Sequence, residues 1–265
     1  MDIKKIMTLL LGLALVLSAA AVAEAPAGGT LYAGFDPWGD PLSVTLTDAE
    51  ALSGVWRQSF GGDLFTQALE NARDGFALEG PLGDSGYMSC RYTGTMVLEG
   101  ETLLVTFTDG EVTSASTDGG STSHHAAALD EAERTAALTE TERGDYGSVT
   151  ALDADSVEAF AAGVRQMYLD TNWYDMARLI AYPIALGPDT VIGDGEAFAA
   201  FMENSAISEA DMEAMAGENC AGMAVTDEGI RMGTGQIILR DAAFDGGEQT
   251  GEPDLRIAAL SGLAD

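Results

Sequence analysis

The stretch Asp155–Ile184, DSVEAFAAGVRQMYLDTNWYDMARLIAYPI, decides the reading of this chain. Asp155-Ser156-Val157-Glu158 has the form of a capping box, in which a short polar side chain and a glutamate three residues on satisfy the free amides of a helix start. Val157, Phe160, Ala161, Val164, Met167 and Tyr168 then recur on one helical face, predicting an amphipathic helix. Asn172-Trp173-Tyr174-Asp175 interrupts it. A second helix is expected from Met176 to Ala181. Tyr182-Pro183 forces an extended exit, because a residue before proline is pushed out of the helical region.

Towards the C-terminus the same layered pattern continues. A helix fits Gly195 to Glu203, and Ser208 to Asp211 forms another capping box before a short helix ending at Gly217. Three strands follow: Ala221 to Val225, Ile230 to Arg240 with Gly233 and Gly235 as bulge positions, and Leu255 to Leu260. Helices first and a curved antiparallel sheet last is an α+β arrangement, expected over residues 153–265.

With the stretches 169–180 and Tyr182-Pro183-Ile184, then Glu196-Ala197-Phe198 and the run EGIRMGTGQI at 228–237, this half resembles the nuclear transport factor two-like superfamily. That superfamily is also called SnoaL-like or ketosteroid-isomerase-like. The resemblance covers residues 153–263 and implies a cone of helices on a curved sheet, with a pocket between them. Its candidate lining is Tyr168, Trp173, Tyr174, Tyr182, Phe198, Phe201 and Met232, aromatic side chains suited to an apolar ligand but equally suited to a core. Catalytic members use an acidic base or an Asp/His pair with a tyrosine donor. This half has no histidine, so a base would be Asp170 or Asp175, with Tyr168 or Tyr182 donating.

Towards the N-terminus the texture changes near Gly144–Ala154, and residues 144–152 read as a linker. Leu42–Leu46, Tyr87–Thr93, Thr95–Leu98 and Thr102–Thr108 carry β-formers, separated by turn signals at Glu99-Gly100-Glu101 and Asp109-Gly110. Residues 42–143 are therefore expected to form an antiparallel β-barrel or sandwich. Asp63–Asn71 fits a short helix or a strand. Ala126–Thr139 fits a helix by composition, or a hairpin turning at 130–133; the hairpin continues the sheet. With Leu52-Ser53-Gly54-Val55-Trp56, Asp74-Gly75-Phe76 and the run from Tyr92 to Gly100, residues 50–140 resemble lipocalin-like secreted β-domains.

The first 23 residues have the composition of a cleavable export signal: Lys4-Lys5, an apolar run from Ile6 to Leu17, then Ala21-Val22-Ala23. Cleavage after Ala23 is favoured over cleavage after Ala25, and an uncleaved anchor helix ignores the small-residue tail. Residues 24–41 read as a flexible N-terminal segment. The expected location is secreted or extracytoplasmic, with no membrane insertion once the signal is removed. Losing Asp2, Lys4 and Lys5 takes the net charge from −31 to −32, which argues against nucleic acid as a partner. The only lysines are Lys4 and Lys5, so the remaining chain has ten arginines and no lysine for a phosphate loop or a Schiff base.

Other motifs are weaker. Gly83-Asp84-Ser85-Gly86 matches the tetrapeptide around a serine-protease nucleophile, but the only histidines, His124 and His125, come later, so it reads as a turn. Those histidines would point to opposite faces of a strand, and no zinc site is expected. Asp109–Glu111, Asp189–Glu196 and Asp241–Glu248 concentrate acid near glycine without the spacing of a calcium loop. No metal and no cofactor are implied. Cys90 and Cys220 form a disulfide or remain two buried thiols. The functional expectation is a non-catalytic binding protein outside the cytoplasmic membrane, engaging a small apolar ligand or an envelope protein. A small pocket enzyme of isomerase, cyclase or hydratase type and a structural envelope component are the alternatives.

Overall fold

The computed structural model describes residues 28–60, 63–82, 88–115, 121–124, 130–186, 190–261 and 263–264. It is a mixed α+β molecule with a barrel-like antiparallel part. The N-terminal half contributes β1 (Thr30–Phe35), β2 (Pro41–Asp48), β3 (Ser53–Phe60), β4 (Asp63–Leu69), β5 (Phe76–Leu82), β6 (Met88–Glu99), β7 (Thr102–Ala115), β8 (Ser121–His124) and β9 (Thr135–Thr141). They form one sheet in the order β4-β3-β2-β1-β9-β7-β6-β5, with β8 added to β7. The two end strands approach each other, and the Gln67 side chain on β4 accepts from the Glu79 N–H on β5 at 3.1 Å.

Alternation makes the inside of this sheet. Leu42, Val44 and Leu46 on β2 share a core with Trp56 and Phe60 on β3, Tyr92 and Met96 on β6, and Leu103, Val105 and Phe107 on β7. The spacing within each set is two or four, as a pleated strand requires. The rings meet tilted or edge-on, with Trp56 to Phe107 at 5.9 Å and Tyr92 to Phe107 at 5.5 Å, the geometry that ring quadrupoles favour.

Several strand expectations need correction. Residues 24–41 do not form a flexible segment throughout: β1 pairs with both β2 and β9, and Leu31, Tyr32 and Ala33 are buried. Asp109-Gly110 is not a turn. β7 runs straight through it, with a bulge opposite Thr93/Gly94, because Gly110 leaves room for the Trp38 ring, which a Cβ there would meet at 2.3 Å. Asp63–Leu69 is a strand. The hairpin expected at 126–139 is described only in its turn and its second arm. Residues 125–129 lie outside the described ones, Glu131–Arg134 is a 3-10 turn, and β9 pairs with β7 and β1.

The C-terminal half begins with α1 (Ala154–Leu169), capped by Asp153, whose carboxylate accepts from the Ser156 N–H at 2.8 Å and from the Ser156 hydroxyl at 2.9 Å. The cap therefore lies two residues before the expected Asp155. Thr171 takes a left-handed conformation, and Asn172 caps α2 (Trp173–Met176), which tightens into a 3-10 turn at Ala177–Leu179. The second helix is thus earlier and shorter than expected. Then come β10 (Ile184–Ala185), β11 (Val191–Ile192), α3 (Gly195–Glu203), β12 (Ala206–Ile207) and α4 (Glu209–Ala216).

The closing strands are β13 (Ala224–Thr226), β14 (Gly229–Met232), β15 (Ile237–Asp241), β16 (Phe244–Asp245), β17 (Glu248–Gln249), β18 (Leu255–Leu260) and β19 (Leu263–Ala264). Four of them make a sheet in the order β13-β14-β15-β18. Gly233 and Gly235 are not bulges within one strand. Both have positive φ and sit in the turn that separates β14 from β15, whose first pair is Met232 with Ile237. A second core fills the space between α1, α2, α3 and this sheet. Tyr146, within the expected linker, belongs to that core: its hydroxyl donates to Glu158 and accepts from the Met223 N–H. No described helix is long and apolar enough to cross a membrane.

The halves meet through charge. Arg57 on β3 is 4% exposed and pairs with Asp155 on α1 at 2.9 Å, and Arg143 reaches the same carboxylate at 3.4 Å. Arg165 on α1 donates to the Met215 and Ala216 carbonyls at the end of α4 and to the Gly39 carbonyl of the β1–β2 loop. Its guanidinium lies 4.8 Å above the Phe35 ring. A cation at the carbonyl end of a helix is favoured by the helix dipole, so Arg165 fastens α4 to the β-half.

Candidate functional site

The space expected to be a pocket is filled. Tyr168, Phe198 and Met232 are fully buried, Trp173 nearly so, and Phe201 packs against the same core. Tyr168 and Trp173 meet edge-on at 5.7 Å. Met176, Ile230, Ile237, Leu239 and Ile257 occupy the rest of the interior. The Tyr168 hydroxyl has no hydrogen-bond partner among the described residues. Burial pushes this phenol up to about 12, with Asp211 adding to the shift.

The candidate catalytic residues do not converge. Asp170 is exposed at the end of α1 and accepts from the Gln166 side chain at 2.9 Å. Asp175 accepts from the Asn172 side chain and faces Arg178 at 3.6 Å. The Tyr182 hydroxyl donates to the Ala177 carbonyl at 3.0 Å. Each carboxylate is occupied at a helix end, where caps and local pairs belong.

Two of the seven expected lining residues do meet, on the outside of this half. Tyr174 and Tyr182 flank an open groove of about 820 Å³ between the α2 segment and α3. Its floor is small and apolar, from Ala177 and Ile180 on one side and Ala199 and Ala200 on the other. The sequence of α3 explains the arrangement. Phe198 and Met202 point into the core, while Glu196, Ala199, Ala200 and Glu203 follow helical spacing along the groove face.

Tyr174 is 68% exposed, with Arg178 stacked over its ring at 4.9 Å. Arg178 also faces Asp175, so it is engaged locally. Glu196 and Glu203 are exposed and have no hydrogen bond or ion pair among the described residues. The groove thus combines a shallow apolar floor, one projecting aromatic ring and two open carboxylates. The aromatic content was legible in the sequence, but the face it lies on was not.

A second, much smaller cavity of about 30 Å³ lies between the halves, against Arg57, Ser59, Asp155, Glu158, Asn219 and Cys220. It has room for about one or two water molecules. Glu158 accepts from the Gly222 N–H at 3.1 Å and from the Tyr146 hydroxyl at 3.2 Å. Burial raises its pKa, against the lowering effect of those two hydrogen bonds and of Arg143. Burial lowers the pKa of Arg57, against the opposing pull of Asp155. In the sequence Asp155 and Glu158 read only as a helix cap, and nothing there joins them to Arg57 in the other half.

Cys90 and Cys220 do not pair. Both are free and buried, Cys90 in the core of the β-half and Cys220 in that of the helical half. Burial pushes the Cys90 thiol up to about 12 and the Cys220 thiol well above its ordinary range, so both remain protonated at neutral pH. Gly83–Gly86 and His125 lie outside the described residues. Among the described residues, no group of three or more His, Cys, Asp or Glu side chains comes together in a way that could hold a metal. No protein-family model, no curated protein and no solved structure matches this chain.

Proposed function

We propose that this is a non-catalytic binding protein, working outside the cytoplasmic membrane, whose helical half engages a segment of another protein along the α2–α3 groove. The observation that carries this reading is the contrast between a filled interior and an open, apolar-floored groove with an exposed tyrosine. Exposed aromatic rings over small residues are what protein-binding grooves use to seat a partner side chain. The open Glu196 and Glu203 favour a partner that places arginine or lysine beside its apolar anchor. In a chain of this net charge, such a partner would also be steered electrostatically.

The helices-then-sheet order and the residues at 169–184 support placing the helical half among nuclear transport factor two-like domains. The barrel-like sheet supports a lipocalin-like β-half that serves as its platform. The Lys4-Lys5 start, apolar run and Ala21-Val22-Ala23 support export.

The test is photo-crosslinking in the native host, with a benzophenone amino acid replacing Tyr174 and, in a second strain, Ala199→Trp added to fill the groove floor. One dominant crosslinked partner that disappears with Ala199→Trp is the expected result. A pattern that Ala199→Trp leaves intact would sink the groove as the site.

A further inference from the structure

A different pocket, on the far sheet of the helical half, holds two opposite charges that do not pair with each other. It has a volume of about 310 Å³ and lies between the turn at Ser148-Val149, the β13–β14 turn and the β16–β17 hairpin. Arg240 enters it from β15 and Asp227 from the β13–β14 turn. Neither side chain makes a hydrogen bond or ion pair among the described residues. Arg240 stands opposite Arg256 in the β15–β18 ladder. Arg256 is satisfied by the Asp254 carboxylate at 2.7 Å and the Arg178 carbonyl at 2.7 Å. Arg256 thus has its own counter-ion, whereas the Arg240 guanidinium has none among the described residues and gains from an added anion.

The hairpin supplies further donors. Gly246 and Gly247 both take positive φ, +59° and +87°, in the two-residue turn between Asp245 and Glu248. Their amides have no partner among the described residues, and successive amides in such a turn favour an anion. Phe244 and Val149 give the pocket apolar walls. A lone anion would be repelled by Asp227, and a lone cation by Arg240. A small molecule carrying both charges satisfies each.

We propose that this pocket binds a free α-amino acid with a modest apolar side chain. Its carboxylate sits on Arg240 and the Gly246-Gly247 amides, its ammonium group on Asp227, and its side chain against Phe244 and Val149. The site is separate from the α2–α3 groove, and either can fail without the other.

The test is an NMR and calorimetric titration of the whole mature protein with L-leucine, N-acetyl-L-leucine, which lacks the cation, and L-leucinamide, which lacks the anion. The expected result is saturable leucine binding with shifts at the Phe244, Gly246 and Gly247 amides. Each analogue should bind at least about tenfold more weakly, as the loss of a charge-assisted contact implies. Arg240→Gln and Asp227→Asn should each weaken leucine by a similar factor. Both residues are exposed, and circular dichroism will verify that the variants fold. Absence of saturable leucine binding, binding with shifts elsewhere, or equal binding of all three compounds overturns the proposal.

Discussion

The two halves of this molecule build their cores from different materials. The β-half packs rigid rings, Trp56, Phe76, Tyr92 and Phe107, against one another at centroid distances between 5.3 and 6.2 Å. The helical half has rings too, Tyr168, Trp173 and Phe198, but sets Met176, Met202, Met215, Met223 and Met232 among them and its aliphatic side chains. Rings have few rotamers and lose their contacts abruptly, whereas methionine adapts to the space around it. The groove lies on the half with the more adaptable core.

That contrast can be broken by truncation. Phe107→Ala or Trp56→Ala should destabilise the protein by about 3–5 kcal/mol, the usual cost of removing a buried aromatic side chain. Met232→Leu, which keeps volume in the helical core, should cost less than about 1.5 kcal/mol. Chemical denaturation of each variant measures both. Equal losses from Phe107→Leu and Met232→Leu would erase the distinction between the cores.

Between these extremes stand two carboxylates, the buried Asp241 and the half-buried Glu158, that respond to pH in opposite directions. Asp241 is 1% exposed and accepts from the Thr150 hydroxyl at 2.7 Å, the Ala243 N–H at 2.8 Å and the Asp254 N–H at 2.9 Å. Burial alone would raise its pKa, but these bonds outweigh it and hold the carboxyl below its ordinary 3.8. Its contribution is present above pH 3.8 and fades as pH falls through the depressed value. Asp241→Asn should cost about 1–3 kcal/mol at neutral pH, with the gap to the parent narrowing on acidification.

Glu158 works the other way. Its pKa is raised above 4.5, so its contribution is present below that pH and is lost as pH rises through the raised value. Glu158→Gln keeps an oxygen for the Gly222 and Tyr146 donors and removes the charge. Its stability relative to the parent should rise with pH from about 4.5 upward, a trend that urea titrations at several pH values would show. A falling trend would mean that Arg57 and Arg143 dominate the site. The smallest effect is expected at the groove, where Ala199→Trp should change stability by no more than about 0.5 kcal/mol while removing partner binding.

Much of the architecture was legible in the sequence, because it is written in local periodicity. The face of α1, the bounds of α3, and α4 between Ser208 and Gly217 follow directly from apolar spacing and caps. What local pattern could not give was the consequence of close approach across the sheet. Asp109-Gly110 looks like a turn until the Trp38 ring is seen lying on Gly110. Gly233 and Gly235 look like bulges until the chain is seen to reverse there.

The candidate site was legible only in part. Tyr174 and Tyr182 were named as lining residues, but helical spacing alone does not say which aromatic side chains face a core and which face solvent. Tyr168, Phe198 and Met232 went to the core. The cluster of Arg57, Asp155 and Glu158 was invisible because Arg57 is distant along the chain from the other two and meets them only through the packing of α1 on β3.

The most direct measurement is native mass spectrometry of the mature protein, isolated gently from its own host, beside the Ala199→Trp variant isolated in the same way. Binding through the groove predicts a reproducible added polypeptide mass on the parent that vanishes on denaturation and is missing from Ala199→Trp. A bare mass for both proteins, or the same added mass on both, would contradict the groove as the working surface of this molecule.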